Sequence, residues 1–432
     1  MKITIIGSGY VGLVSGICLA KIGHDVICVD NNLNKIEKLN KGEIPIFEPG
    51  LKDLLSIVKK ENKIKFSNNL VKSIENSKAI FIAVGTPQGE DGSADLSYVM
   101  QVVSELARNI NDDKLIITKS TVPVGTGAKI RQIFSDINPK NKVRIASNPE
   151  FLREGFAIDD FMNPDRIVVG AEDDNSKNIL SEIYQYFSLD KMVFSDIVTA
   201  ELIKYASNSF LATKISFINE MSDLCEVVGG DISKLSYAMG LDSRIGNKFL
   251  NPGPGFGGSC FPKDIMAILN IAKNNNIDLS LIESVISSNG ARIDKMVKKI
   301  EIALGGDVMN KKISLLGLAF KANTDDIRYS PAIAIAKKLA KKGSIILAHD
   351  PQAIINAKQE LSLFSDIKFC DDIYLTAKNC DALIIATEWD EYKKIDLTKL
   401  RKYCSTIIDL RNIYNKHDAI KAGFKYTAIG YK

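Results

Sequence analysis

A chain of 432 residues is too long for one hydrophobic core and long enough for two or three domains. Hydrophobic residues make up 45% and charged residues 25%, an ordinary globular composition, and a dispersed formal charge of +4 argues against nucleic acid as a partner. Seven cysteines without a C-x-x-C pair, and scattered His24, His349 and His417, argue against a disulfide framework, a metal site or histidine-based catalysis, and for a reducing cytosol.

The run from Ile3 to Ala20 is uncharged and mostly apolar, as a membrane span would be. Gly7, Ser8, Gly9, Gly12, Ser15 and Gly16 are too dense for a spanning helix, so no membrane association is expected. Ile3–Ile6 reads as a strand, Leu13 to Ile22 as a helix, and Asp25 to Val29 as a second strand closed by Asp30. Strand, G-x-G-x-x-G, helix, strand and acid make a dinucleotide-binding βαβ unit. Gly7 permits the tight turn, Gly9 admits the pyrophosphate to the backbone, and Gly12 lets the helix pack on the strand; helix N-terminal amides, in the turn that carries Val11, hold the phosphates. Asp30 would accept the ribose hydroxyls and repel a 2′-phosphate, so NAD is the expected cofactor.

Continuous apolar runs at Ala79–Val84, Leu115–Thr118 and Val143–Ala146, separated by helical segments, predict further buried strands of a parallel, doubly wound sheet. Each ends in a polar loop, respectively Gly85-Thr86-Pro87, Ser120-Thr121-Val122-Pro123, and Ser147 to Gly155, which carries Asn148, Pro149, Glu150, Phe151, Leu152 and Glu154. Ligands of such sheets bind beyond the strands' carboxyl ends, so these loops should line one cleft. Turn formation alone accounts for Thr86; it does not account for Glu150 and Glu154 straddling Phe151 and Leu152.

Thr199 to Val228 lacks Gly and Pro and predicts a helix of roughly 45 Å, ended by Gly229-Gly230. Lys204 and Asn208 project from one face at i, i+4, which by default is a solvated pair. Phe210, Leu211, Ile215, Ile218, Met221 and Leu224 recur at helical spacing as packing residues, and the length suits a dimer seam. Gly253 to Asp264 reads GPGFGGSCFPKD. Its glycines leave room for a ligand beside Cys260, and Lys263 and Asp264 put a cation and a carboxylate within reach of the sulfur. A lone cysteine is otherwise a small buried hydrophobe.

A second α/β unit begins at Lys312. Ile313–Leu316, Ile345–Leu347, Ala382–Ala386 and Thr406–Ile408 repeat the strand-then-polar-loop rhythm without the glycine fingerprint, a loose internal duplication. The fold expected is α/β: two Rossmann-like doubly wound parallel-sheet domains, residues 1–196 and 301–432, joined by a long central helix with a small helical domain, residues 197–300.

GFGGSCFPKD resembles the thiol loop of the UDP-glucose 6-dehydrogenase family, NAD-dependent enzymes that oxidise the primary alcohol of a nucleotide sugar to a carboxylate in two hydride transfers. The resemblance runs from Met1 to about Arg411. It implies that Thr121 helps place a catalytic water, Glu150 assists proton transfer, and the backbone around Asn148, Pro149, Phe151 and Leu152 holds the substrate. Lys204 and Asn208 would point at the sugar C6, and Arg244 would be lent across a homodimer seam on the central helix. Lys35, Thr86, Glu154 and Arg328 match cofactor contacts, and Lys263 belongs with the cofactor or with the loop's architecture. Phe249, Leu250, Asn251, Pro252, Gly253 and Gly257 match the substrate approach, with Lys321 on the substrate and Arg411 on the uridine side.

The chemistry implied is capture of the aldehyde by the Cys260 thiolate as a thiohemiacetal, a second hydride transfer to a thioester, and hydrolysis. Asp264 would pair with Lys204 and serve as general base, with Glu150 the competing candidate. Sister enzymes acting on GDP-mannose or UDP-N-acetylated sugars share the fold. A single-step hydroxyacid dehydrogenase would need no thiol, and a non-enzymatic sensor would have no use for Cys260, Lys204, Asn208 and Asp264 together.

Overall fold

Short strands rich in Ile, Val and Phe suit a pleated surface buried on both faces. In the computed structural model, which describes residues 1–140 and 143–431, the first eight are β1 (Lys2–Ile6), β2 (Asp25–Val29), β3 (Ile64–Ser67), β4 (Ala79–Ile82), β5 (Leu115–Thr118), β6 (Arg144–Ser147), β7 (Ile167–Ala171) and β8 (Met192–Ser195). They form one sheet in the order β3-β2-β1-β4-β5-β6-β7-β8. Side chains alternate between its faces: Ile3, Ile5, Phe81 and Ile117 join one buried cluster, and Ile6, Ile80, Ile82 and Ile116 the other. Each such side chain contributes roughly 1.5–3 kcal/mol by leaving water, which is why helices cover both faces. Pairing is parallel from β3 to β6, but β7 runs antiparallel to β6, with Ala146 opposite Ala171 and Ser147 opposite Gly170. The doubly wound parallel sheet read from sequence is present, with this one pair reversed, because an apolar run carries no information about strand direction.

The second sheet comprises β9 (Lys312–Leu316), β10 (Ile345–His349), β11 (Ile367–Phe369), β12 (Ala382–Ile385), β13 (Thr406–Asp409) and β14 (Lys425–Ala428), all parallel, in the order β11-β10-β9-β12-β13-β14. This is the order of the first six strands over again, so the loose sequence duplication is a duplication of topology. The likeness reaches the first turn. Gly7 and Gly317 have φ of 99° and 98°, and their amides donate to Val29 O at 2.7 Å and His349 O at 2.8 Å. Asp30 accepts from the Ser8 amide at 2.9 Å, and Asp350 from the amides of Leu318 and Ala319 at 2.7 and 3.0 Å.

The sheets belong to separate compact units, Met1–Ser207 with Met266–Ile277, and Asn208–Ile265 with Asp278–Lys432. The division falls inside two helices, Ile197–Val228 and Phe261–Asn274. The first has 32 residues, hence about 48 Å. It starts two residues before the expected Thr199 because the Asp196 carboxylate accepts from the Thr199 amide and hydroxyl, each at 2.7 Å, and it stops at Gly229, where φ is 83°. Among the described residues no helix is long and apolar enough to cross a membrane.

Candidate active site

The dinucleotide end of the first unit is built by β1, the helix Tyr10–Lys21 and β2. That helix opens three residues earlier than expected. A Cβ on Gly12 would stand 1.9 Å from Gly7 O, so no larger residue fits, whereas a Cβ on Gly9 would meet nothing within 4 Å. Val11 is half-buried in the first turn, and the buried Ser8 hydroxyl has no hydrogen-bond partner among the described residues. The Asp30 carboxylate accepts from the amides of Ser8 and Asn32 and pairs with Lys35 Nζ at 2.8 Å. Burial raises its pKa, but the Lys35 ammonium and the two amides outweigh burial and hold the carboxyl below its ordinary value. A tight glycine turn, a helix N-terminus open at Gly9, an orphaned hydroxyl and an acid at the end of β2 fit a dinucleotide.

Beyond β4, β5 and β6 the expected loops carry a connected set of polar groups. Thr86 Oγ1 donates to Thr121 O at 2.9 Å. Glu150 is buried, with Oε2 accepting from the Leu152 amide at 2.6 Å and Oε1 paired with Lys204 Nζ at 3.0 Å; both side chains of this ion pair are only 5% exposed. The Phe151 ring has the Arg166 guanidinium 3.7 Å and Lys204 Nζ 5.3 Å from its centroid. Pro149 is buried, and Leu152 and Glu154 are half-buried.

The Asn148 side chain is engaged within the fold. Its Nδ2 donates to Val168 O at 2.7 Å, and its Oδ1 accepts from Tyr184 at 2.5 Å and from Lys119 Nζ at 3.0 Å. Lys119 went unnoticed in the sequence. Burial pushes its ammonium down to about 8, with Glu150 opposing that shift and Lys204 adding to it. A single lysine after an apolar strand carries no signal of burial.

In the second unit, Cys260 is half-buried at the head of the helix Phe261–Asn274, with its carbonyl accepting from the Asp264 amide at 2.9 Å. Ser259 Oγ is 3.6 Å from its sulfur. The sequence reading paired Asp264 with Lys204. In the structure Asp264 is buried with Oδ2 accepting from Asn208 Nδ2 at 2.6 Å and Oδ1 meeting Lys263 Nζ at 2.6 Å, while Lys204 holds Glu150.

The loop's glycines also work differently from the expectation of open access. A Cβ on Gly257 would lie 2.2 Å from Tyr329 O, and one on Gly258, where φ is 84°, 2.7 Å from the Phe320 ring. They allow close packing on the segment from Phe320 to Pro331, and the Gly258 amide donates to Arg328 O at 2.8 Å. Two residues missed from sequence anchor the loop from the helix Ser280–Ala303. Asn289 exchanges hydrogen bonds with the Phe256 amide and carbonyl at 2.9 and 3.1 Å, and buried Arg292 donates to Gly253 O at 3.0 Å. Asn219 Oδ1 accepts from the Gly253 amide at 2.8 Å.

The remaining expected substrate residues divide. The Leu250 side chain is core, packed with Ile218, Cys225 and Ile232. Phe249 is half-buried at a φ of 65°, Asn251 is exposed and Pro252 buried. Arg411 donates to Ala386 O and Phe320 O, each at 2.9 Å, and lies 3.1 Å from Glu388. Lys321 Nζ is 5.6 Å from the Phe320 centroid. Arg328 and Arg244 are exposed and paired with Asp326 at 2.7 Å and Asp242 at 2.5 Å.

Three family models cover the chain. The UDP-glucose/GDP-mannose dehydrogenase NAD binding domain matches residues 1–188, the central domain of that family 198–291, and its UDP binding domain 314–416. The UDP-glucose 6-dehydrogenase of Rhizobium meliloti (strain 1021) is 46% identical over 437 residues, covering 100% of this chain and 99% of its own length. Among solved structures, a UDP-glucose dehydrogenase from the archaeon Pyrobaculum islandicum superimposes with a TM-score of 0.92 at 35% identity, covering 100% of this chain and 98% of that one. A UDP-D-ManNAc dehydrogenase from Pyrococcus horikoshii gives 0.87 at 26%, covering 100% and 99%. The NAD binding domain match and these relatives make NAD the cofactor.

Proposed function

The chain belongs to the UDP-glucose/GDP-mannose dehydrogenase family, and on that premise we propose that it oxidises UDP-glucose to UDP-glucuronate, using two NAD per substrate and Cys260 as the covalent nucleophile. The observation that carries the reading is a cysteine at the head of a helix, one turn before an acid held between a carboxamide and an ammonium. A helix N-terminus favours negative charge on a side chain placed there, and negative sulfur is the nucleophilic form.

NAD, when bound, supplies the hydride acceptor for both oxidations. Backbone around Gly9 and Val11 holds its phosphates, and Asp30 its ribose hydroxyls. Once the sugar carbon has reached the aldehyde, Cys260 Sγ adds to it; the carbon–sulfur bond forms, the carbonyl electron pair moves to oxygen, and the thiohemiacetal keeps the aldehyde from escaping. The oxyanion calls for a cation and a neutral donor, and Lys204 and Asn208 present both types one helical turn apart. The second oxidation leaves a thioester. Water, oriented by Thr121, attacks it and gives its proton to Asp264 or, as second candidate, Glu150, and the returning electron pair frees the sulfur. Loop backbone at Phe151–Leu152 and Phe249–Gly257, with Lys321 and Arg411, receives the nucleotide sugar. We read residues 1–196, 197–300 and 301–432 as NAD-binding, central and UDP-sugar-binding parts of an enzyme of the reducing cytosol.

Identity of 46% to a relative named for UDP-glucose, against 26% to one named for UDP-D-ManNAc, favours glucose as the sugar. The test is turnover with UDP-glucose, GDP-mannose and UDP-N-acetylmannosamine, counting NADH and acid together. Two NADH per acid with UDP-glucose fastest is the expected result. One NADH per substrate, or faster turnover of either other sugar, overturns it.

We also propose a homodimer through the long helix. Phe210, Phe217 and Leu224 recur every seven residues and are 65%, 44% and 53% exposed, an apolar stripe of coiled-coil spacing. Exposed Arg244 would then be lent to the other copy's substrate. Phe210→Glu should shift sedimentation from dimer to monomer; an unchanged dimer would place the seam elsewhere.

A further inference from the structure

Two cysteines that the proposed chemistry does not use stand at the amino-terminal end of two neighbouring strands of the second sheet. β12 and β13 pair in parallel with Leu383 opposite Ile407, and Cys380 and Cys404 each lie three residues before those partners. The pairing continues past the strand ends, where the Asn379 amide donates to Tyr403 O at 3.2 Å. Neighbouring strands stand about 4.8 Å apart, inside the Cα separation of about 4.4–6.8 Å that a disulfide spans. Each thiol shifts the other's proton affinity, Cys404 down and Cys380 up, as neighbouring sulfurs do. Cys404 is buried and Cys380 half-buried, so one sulfur of the pair is within reach of a small solute.

We propose that Cys380 and Cys404 are a dithiol that closes reversibly to a disulfide when a peroxide reaches it, a modification site separate from Cys260. The half-exposed Cys380, giving its proton to the Cys404 thiolate beside it, attacks one peroxide oxygen and the O–O bond breaks. Hydroxide leaves and takes a proton to become water, and the sulfur is left as a sulfenic acid. The second thiol, losing its proton, attacks that sulfur; the S–O bond breaks and a second water leaves. Two thiols and one hydrogen peroxide thus give one disulfide and two waters, the sulfurs being oxidised by the two electrons the peroxide gains. A dithiol reductant reverses the step by exchange. The shifts support the first step: Cys404, drawn down to about 7 by the Cys380 thiol, is the base that takes the proton, and Cys380, raised by the same neighbour, is the sulfur that loses it to become the nucleophile. The pair sits before β12 and β13, whereas Asp350 and Arg411 follow the carboxyl ends of β10 and β13, so closure leaves the ligand end of the sheet in place.

The experiment treats the full-length folded protein with hydrogen peroxide, blocks remaining thiols, digests it without reductant and identifies peptides by mass spectrometry. The expected product is the Cys380 peptide joined to the Cys404 peptide, two hydrogens lighter than the sum, formed before any link involving the other five cysteines and lost on treatment with dithiothreitol. In Cys380→Ser, a conservative change at the half-exposed position, the linked species should vanish while the protein keeps its circular dichroism. Oxidation of Cys380 to the sulfinic acid without a link, or a link that forms only in urea, overturns the proposal.

Discussion

Glu150 and Lys204 hold each other 3.0 Å apart where both are almost sealed from water. Removing one partner of a buried pair strands the other charge, at a cost of about 3–5 kcal/mol. Glu150→Gln should therefore lower the urea midpoint clearly and depress turnover, while Glu150→Gln with Lys204→Met should recover much of the stability and none of the activity. Equal destabilisation by the single and double variants would mean that the pair does not matter energetically. Lys119, behind the same loop, gives a pH signature. Its folded pKa of about 8 lies below the ordinary lysine value of 10.5, so between these the unfolded chain binds the extra proton and stability rises with pH. Unfolding midpoints at pH 7.5 and 9.5 should separate in the native protein and converge in Lys119→Met; an unchanged separation would assign the slope to other groups.

At the scale of elements, the thiol loop is positioned by a helix it does not belong to. Asn289 clasps Phe256 through both its amide and its carbonyl, so Asn289→Ala should let the loop and Cys260 drift. A misplacement of about 1 Å costs on the order of 100-fold in rate. kcat should fall by that order with NAD affinity unchanged, and an intact kcat would remove Asn289 from the account. Glu201, on the long helix, reaches the amides of Gly125 and Gly127 at 2.7 and 2.8 Å and so caps the helix Thr126–Ile137. Burial raises its carboxyl to about 7 against those amides, which pull it down. A raised folded pKa means stability that is complete below pH 4.5 and lost as pH climbs towards 7, and Glu201→Gln should flatten that decline.

What could be read from sequence follows the same lines. The first βαβ unit was legible because glycine, helix and acid are local requirements, and the central strands because both faces are buried. Edge strands β8, β11 and β14 were not, since each carries a single fully buried residue and so leaves no apolar run. Cys260 and Asp264 were singled out by the thiol-loop motif, and Asn208 by its spacing from Lys204 together with the resemblance. Asn289, Arg292 and Lys119 were not, because their partners lie tens of residues away and only the fold brings them together.

Across the whole molecule, one topology is used twice for two kinds of ligand contact. The first copy keeps Gly9 open and an acid against Lys35; the second spends its equivalent acid, Asp350, on the amides of Leu318 and Ala319 and on Trp389 Nε1 at 3.2 Å. The helix Ile197–Val228 carries both Lys204 and Asn208, one turn apart in sequence.

The account's central claim is that sulfur captures the half-oxidised sugar. It is tested most directly by quenching Cys260→Ser during incubation with UDP-glucose and NAD and measuring acid against NADH, with intact mass taken on the same sample. The prediction is almost no acid, with product arrested at the aldehyde level or as a covalent adduct; acid formed at the native rate with two NADH for each would contradict it.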